Sequence, residues 1–199
     1  MRQIRVFISA LLALWIASVH ASVPGSAAPE FTVNDATGKP VALNSYRGKH
    51  VVLEWTNPEC PFVRKHYDSR NMQSLQKEFA ARDVVWLSVN STRRGHYEFK
   101  SGDEMSRWMA AQGGSPSAVL IDDTSNAGRA YAARTTPHMF VIDPSGKLVY
   151  AGAIDDKRSS NPADAKTAHN YVRAALTESL AGKAVTQAST TPYGCSVKY

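Results

Sequence analysis

Apolar positions along this chain fall into short runs separated by turn chemistry, and the runs switch between strand-like and helix-like spacing. Over residues 30–43, apolar Phe31 and Val33, the polar turn DATGK, then Val41 and Leu43 predict a β-hairpin closed through Gly38. HVVLEW at 50–55 predicts a buried strand that delivers the chain to TNPEC. Pro61 fits the first position of a helix, which places Cys60 at its start, and Phe62, Val63, Tyr67, Leu75 and Phe79 give that helix an apolar face, with a kink and a new cap expected at Ser69. A second buried strand follows at 83–90, then a polar loop, a short helix at about 103–112, a strand at 117–121 and a short helix within 125–133. HMFVID and KLVYAG flank a Pro-Ser-Gly turn as a hairpin, and one long final helix is expected from cap Asn161 and Pro162 to Gly182. Strands and helices alternating in this order imply an α/β sheet with helices on both faces.

The 199-residue length suits one domain with appendages. Residues 1–21 carry Arg2 and Arg5, then an uncharged apolar run, then small residues ending at Ala21, which is the pattern of a cleaved secretory signal peptide. The run is shorter than the roughly 20 residues a membrane span needs, so no stable membrane insertion is expected after cleavage. Residues 22–28 read as a flexible lead-in, 29–182 as the domain, and 183–199 as a polar tail carrying Cys195. The chain as a whole has 23 basic and 17 acidic residues; the leader holds two of the arginines and no acid, and the remaining basic residues are scattered, which argues against a nucleic-acid partner. Export, to the periplasm in a Gram-negative host, would put the protein where disulfides persist.

Two cysteines, Cys60 and Cys195, carry the candidate chemistry, as a structural bridge, a redox pair or unrelated thiols. A helix amino terminus favours the thiolate, the reactive form, so Cys60 is a candidate nucleophile. Arg64, Lys65 and Arg134 are cations that could face its sulfur, although such residues in a first helical turn are usually solvated. His66 reads as a packed or surface histidine, and Glu54 as either buried or facing outward at a sheet edge. The acid pairs Asp122-Asp123 and Asp155-Asp156 follow strands, where aspartates make turns and caps.

Three segments, APEFTVNDATGKPVALNSYRGKHVVLEW, NPECPF and TTPHMFVIDPSGKLVYAG, resemble the thioredoxin-like redoxins, a family that includes alkyl hydroperoxide reductase type thiol peroxidases and exported disulfide reductases. The resemblance covers about residues 29–181. It implies a thioredoxin-like α/β fold with a central mixed sheet, an amino-terminal hairpin, and a cis-proline loop at Thr136-Pro137 packed beside the Cys60 sulfur. It also implies catalysis by Cys60 with Cys195, assisted by Asn57 and Arg134, and substrate contact through Pro61, Phe62, Thr136 and Pro137. Two departures stand out. Val63 occupies the second position of the Cys-x-x-Cys that thioredoxin-type reductases use, and Asn57 and Leu53 stand where peroxiredoxins usually have a threonine or serine and a proline.

A peroxide would convert the Cys60 thiolate to a sulfenic acid, which Cys195 or an external thiol would resolve. A Cys60–Cys195 bridge would close a loop of about 135 residues and stabilise by roughly 4–5 kcal/mol, less any strain. The leading expectation is therefore an exported, peroxidase-like thiol oxidoreductase with no cofactor, partnered by an external thiol reductant or a protein thiol. Thiol–disulfide exchange on protein substrates is the alternative. From another class comes a copper-handling or non-catalytic module using Cys60, His138, Met139 and Cys195, although His138 and Met139 would point to opposite faces of their strand.

Overall fold

The computed structural model describes residues 22–199, so the expected signal peptide at 1–21 lies outside the described residues. Strands β1 (Thr32–Asp35) and β2 (Pro40–Ala42) form the predicted hairpin, followed by a 3-10 turn at Leu43–Tyr46. Next come β3 (Val51–Trp55), α1 (Pro61–Asp68), α2 (Asn71–Ala80) and β4 (Val85–Asn90). Then follow α3 (Gly102–Ala111), β5 (Ala118–Ile121), α4 (Asn126–Ala130), β6 (Thr135–Thr136), β7 (His138–Ile142) and β8 (Leu148–Gly152). The chain ends with a 3-10 turn at Pro162–Lys166, α5 (Tyr171–Leu180) and β9 (Cys195–Ser196).

Among the described residues, seven strands make one mixed sheet in the order β2-β1-β5-β4-β3-β7-β8, with β3, β4 and β5 parallel and the other pairs antiparallel. This is the expected thioredoxin-like α/β architecture. Alternate residues of the central strands feed two apolar layers. Val52, Trp86, Met139, Val141 and Tyr150 pack with α1, α2 and α5 on one face. Leu53, Trp55, Leu87, Val89 and Phe140 pack with Leu43, Ala127 and Tyr131 on the other.

Glu54 lies on central β3, not at an edge, and is fully buried. Its carboxylate accepts from Trp86 Nε1 at 2.8 Å, Tyr67 Oη at 2.9 Å and Ser88 Oγ at 3.0 Å, with Gln76 at 3.4 Å. Burial raises its pKa and these donors oppose the rise. The hub ties α1 and α2 to the sheet, so α1 enters at a fixed angle.

Several expectations change in detail. The first helix breaks at Ser69–Arg70, but Ser69 ends α1 rather than capping α2; the turn is made by Arg70 in left-handed conformation, φ 65°. The long final helix is two elements, because Asn170 is the true cap of α5, its side chain accepting from Arg173 N at 2.8 Å, while Asn161 and Pro162 start only a 3-10 turn. Residues 22–28, expected as a flexible lead-in, run beside the β7–β8 turn with Gly25 N bonded to Leu148 O at 2.7 Å and Ala28 N to Gly146 O at 2.9 Å. Among the described residues no helix is long and apolar enough to cross a membrane.

Two buried histidines give a pH prediction. His66 and His138 are pushed from the ordinary 6.5 down to about 3, mainly by burial, with Lys65 and Arg134 adding repulsion. The fold keeps both rings neutral, whereas the unfolded chain protonates them below about 6.5. Their contribution is therefore full above that pH and is lost as pH falls toward 3, by about 2–3 kcal/mol per ring at roughly pH 4.5. Denaturant unfolding across this window should show the decline; a flat profile contradicts it.

Candidate active site

Cys60 is the N-cap of α1, in extended conformation (φ −80°, ψ 119°), with Pro61 next in the helix. Asn57 builds the turn before it: its side-chain oxygen accepts from Glu59 N at 2.8 Å and its carbonyl from Cys60 N at 3.1 Å. No first-turn amide of α1 donates to the Cys60 side chain. Cys60 is only 2% exposed, and its Sγ donates to the Thr136 carbonyl at 2.9 Å. The Thr136-Pro137 bond is cis, as the resemblance implied, and both residues are buried beside the sulfur. Val63, where a second cysteine would stand, is packed in the core with no exposure.

The second sulfur arrives from the other end of the chain. Residues 183–199, expected as a polar tail, form an ordered strap across the domain. Ala151 N donates to Ala188 O at 3.0 Å, and Ala153 N to Thr190 Oγ1 at 2.9 Å. β9 then pairs antiparallel with β6, placing Cys195 opposite Thr136. Beyond it Val197 N bonds Arg134 O at 3.1 Å, Arg93 N bonds Lys198 O at 2.9 Å, and Tyr199 Oη donates to Ala133 O at 2.5 Å. Both cysteines therefore meet at Thr136, Cys60 through its sulfur and Cys195 through its backbone. Both are thiols here, and burial together with hydrogen-bonded contact and repulsion from Cys60 pushes the Cys195 pKa up to about 12. Gly194 permits this approach: its φ is +144°, and a Cβ there would lie 2.0 Å from the Thr136 oxygen.

The other candidates divide. Phe62 is half-buried and packs edge-on against Tyr193, centroids 5.8 Å apart, while Pro61 is exposed at the rim. Asn57 shapes the turn and spends its amide on Glu98 Oε2 at 2.8 Å. Arg64 turns away from the sulfur, donating to Pro58 O at 2.8 Å and pairing with Glu59 at 3.2 Å. The exposed Arg134 side chain lines a cavity of about 300 Å³ with Tyr131, His138 and Phe140, residues of the layer opposite Cys60. Met139 shares the apolar cluster of Cys60, but the His138 ring packs at a tilt of 43° against Phe140, centroids 4.3 Å apart, on the other face. Among the described residues no group of three or more His, Cys, Asp or Glu is arranged to hold a metal ion.

Lys65, His66, Asp155 and Tyr193 form a cluster that the sequence did not reveal. Lys65 is fully buried; its ammonium donates to Asp155 Oδ2 at 3.1 Å, the Lys157 carbonyl at 2.5 Å and Tyr193 Oη at 3.1 Å. Glu98, also missed, reaches the site from the polar loop and faces Lys198 at 3.9 Å. Lysine is the residue type least often read as interior, and only the aromatic and glycine in TPYGCSVKY hinted that the tail packs.

Residues 24–151 match the AhpC/TSA family. The chain belongs to the AhpC/TSA family. This AhpC/TSA member is 28% identical over 125 residues to the thiol-disulfide oxidoreductase ResA of Bacillus subtilis (strain 168), a stretch covering 63% of this chain and 64% of that protein, under two thirds of its length. An uncharacterized conserved protein from Geobacillus kaustophilus superposes with a TM-score of 0.78 at 27% identity, over 89% of this chain and 93% of its own. The thioredoxin domain of a thiol-disulfide oxidoreductase from Bacteroides vulgatus shares the fold, with a TM-score of 0.53 at 23% identity over 65% and 87% of the two chains.

Removing one partner of a buried ion pair leaves the other charge uncompensated. Lys65→Met, which keeps volume but removes charge, should lower unfolding free energy by about 3–5 kcal/mol in denaturant titration. A loss under about 1 kcal/mol, the ordinary worth of an exposed pair, contradicts the buried pairing.

Proposed function

We propose that this chain is a thiol–disulfide oxidoreductase whose redox couple is Cys60 with Cys195, a dithiol assembled from a helix start and a carboxy-terminal strand. One observation carries the reading: Cys60 Sγ bonds the carbonyl of Thr136, the same residue that pairs in register with Cys195. The ResA relative supports exchange as the reaction class.

In the reducing direction the Cys60 thiolate attacks one sulfur of a substrate disulfide, forming a mixed disulfide and releasing the other sulfur as a thiolate. The Cys195 thiol, deprotonated as it attacks, displaces the substrate's remaining sulfur from Cys60. Substrate disulfide and protein dithiol become substrate dithiol and protein disulfide, and an external thiol reductant resets the couple. The oxidising direction is the reverse. Cys60 attacks from the amino terminus of α1, whereas Cys195, its pKa pushed up to about 12, rests protonated. A substrate reaches Cys60 when the strap lifts, since the sulfur is covered. Export to an oxidising compartment, implied by the leader, fits this couple.

Peroxide reduction is the second reading, favoured by the family to which the chain belongs. It asks for polar groups aimed at the peroxide over Cys60, and the candidates Asn57 and Arg64 are engaged with Glu98, Glu59 and Pro58. Exchange needs no such group.

Mature protein without reductant should show no free thiols and a single Cys60–Cys195 crosslink by mass mapping, and should reduce insulin disulfides with a thiol donor; Cys60→Ser and Cys195→Ser should each lose turnover. Rapid peroxide consumption with no insulin reduction selects the peroxidase reading. Two free thiols under oxidising conditions and no turnover sink both. Oxidation should also raise unfolding free energy by about 4–5 kcal/mol less strain, read as the denaturant midpoint with and without reductant.

A further inference from the structure

The polar cluster beneath the strap is fully satisfied, and its connections link the two sulfurs. Lys65, His66 and Asp155 are fully or almost fully buried, and Tyr193 is 5% exposed. Asn71 Nδ2 donates to His66 Nδ1 at 2.9 Å, and the Asn71 oxygen accepts from Asn170 at 3.3 Å, which assigns the ring proton to Nε2. The Tyr193 hydroxyl then accepts from His66 Nε2 at 3.3 Å and from Lys65 Nζ at 3.1 Å, and donates to Asp155 Oδ1. One donor and two acceptor sites are all used.

The placement has a mechanical meaning. Lys65 and His66 belong to α1, whose N-cap is Cys60, and Tyr193 stands two residues before Cys195. Gly194 alone separates them, pressed against the Thr136 carbonyl, so fixing position 193 leaves the strap no slack at position 195. β9 spans only two residues, too short a ladder to set its own register. Phe62, beside Cys60, closes the edge of the Tyr193 ring.

Resting on the exchange reading, we propose that Tyr193 is the positioning residue of the couple: its hydroxyl, latched to Lys65, His66 and Asp155, presents the Cys195 sulfur to Cys60 and holds the strap closed over it. Nothing in the cluster touches a substrate. It acts through the strap, by setting the effective concentration of one thiol at the other.

The test is Tyr193→Phe in the full mature chain. The Phe ring keeps its contact with Phe62, and Lys65 keeps Asp155 and the Lys157 carbonyl, so the variant retains its core. Equilibration in glutathione redox buffers gives the fraction of Cys60–Cys195 disulfide, and timed alkylation of the fully reduced protein gives the exposure of Cys60. The expected result is a tenfold or larger shift of the equilibrium toward dithiol and a several-fold faster alkylation of Cys60. Tenfold is about 1.4 kcal/mol, within what one hydrogen bond to a buried carboxylate supplies. A purely structural Tyr193 would lower the melting temperature, equally in a Cys195→Ser background, and leave both readouts at wild-type values; that result overturns the proposal. Absence of the disulfide in wild-type protein sinks the exchange reading instead, and the alkylation rates then decide the latch alone, faster in the variant supporting it and unchanged overturning it.

Discussion

The backbone of Thr136 is the point on which the site depends. Its carbonyl accepts the Cys60 thiol, its pairing partner across the short ladder is Cys195, and Gly194 passes close over its oxygen. A carbonyl cannot move independently of its chain, and this one is fixed from several sides. Thr136 leads through a cis bond into β7, which is bonded to β3, the strand whose far end releases the chain toward Cys60. The rigid sheet thus carries the loop and the helix start in one frame, and the strap is the one component added from outside.

That addition explains the buried charge. An ion pair taken out of water recovers its desolvation cost only when every donor and acceptor is met, and an apolar replacement is often as stable. What Lys65 and Asp155 offer, and an apolar pair could not, is directionality toward a third group, the Tyr193 hydroxyl. In an extended strand a slip of one residue turns every side chain to the opposite side. For the strap such a slip would carry the Cys195 sulfur away from Cys60, so a latch that recognises one hydroxyl guards the register better than a greasy contact, which tolerates sliding.

The sheet was legible because its signals are local. Alternation and short apolar runs announced the hairpin, β3, β4, β7 and β8, and the Cys60-Pro61 pair announced the start of α1. The loop at Thr136-Pro137 came from resemblance alone. What was not legible depends on tertiary partners. Lys65 carries the residue type expected at a surface, and Asp155, the Lys157 carbonyl and Tyr193, each ninety or more positions away, make its burial tolerable. The final helix reads as continuous because Pro162 is a valid first position, yet Asn170 offers a competing cap, and the chain uses it to turn α5 back onto β7 and β8. The tail is polar in composition but satisfies its backbone against β6 and residues near β8, a pairing no periodicity could announce.

Moving the second cysteine from position 63 to the far end of the chain changes what oxidation does. A dithiol within one helical turn would close a loop of a few residues and leave the rest of the fold indifferent to its state. In the proposed couple the two cysteines, free thiols in this structure, would be joined from the start of the first long helix to the tail, so that forming the crosslink would constrain most of the unfolded ensemble. The thermodynamic cycle then requires reciprocity: whatever the disulfide adds to the stability of the fold, the fold adds to the stability of the disulfide. The reduction potential of the proposed couple would therefore follow the packing of the strap along its whole length, from Thr190 against Tyr150 to Tyr199 against Ala133. With Val63 buried at the position of a local second cysteine, the redox motif proposed here is one governed by tertiary structure.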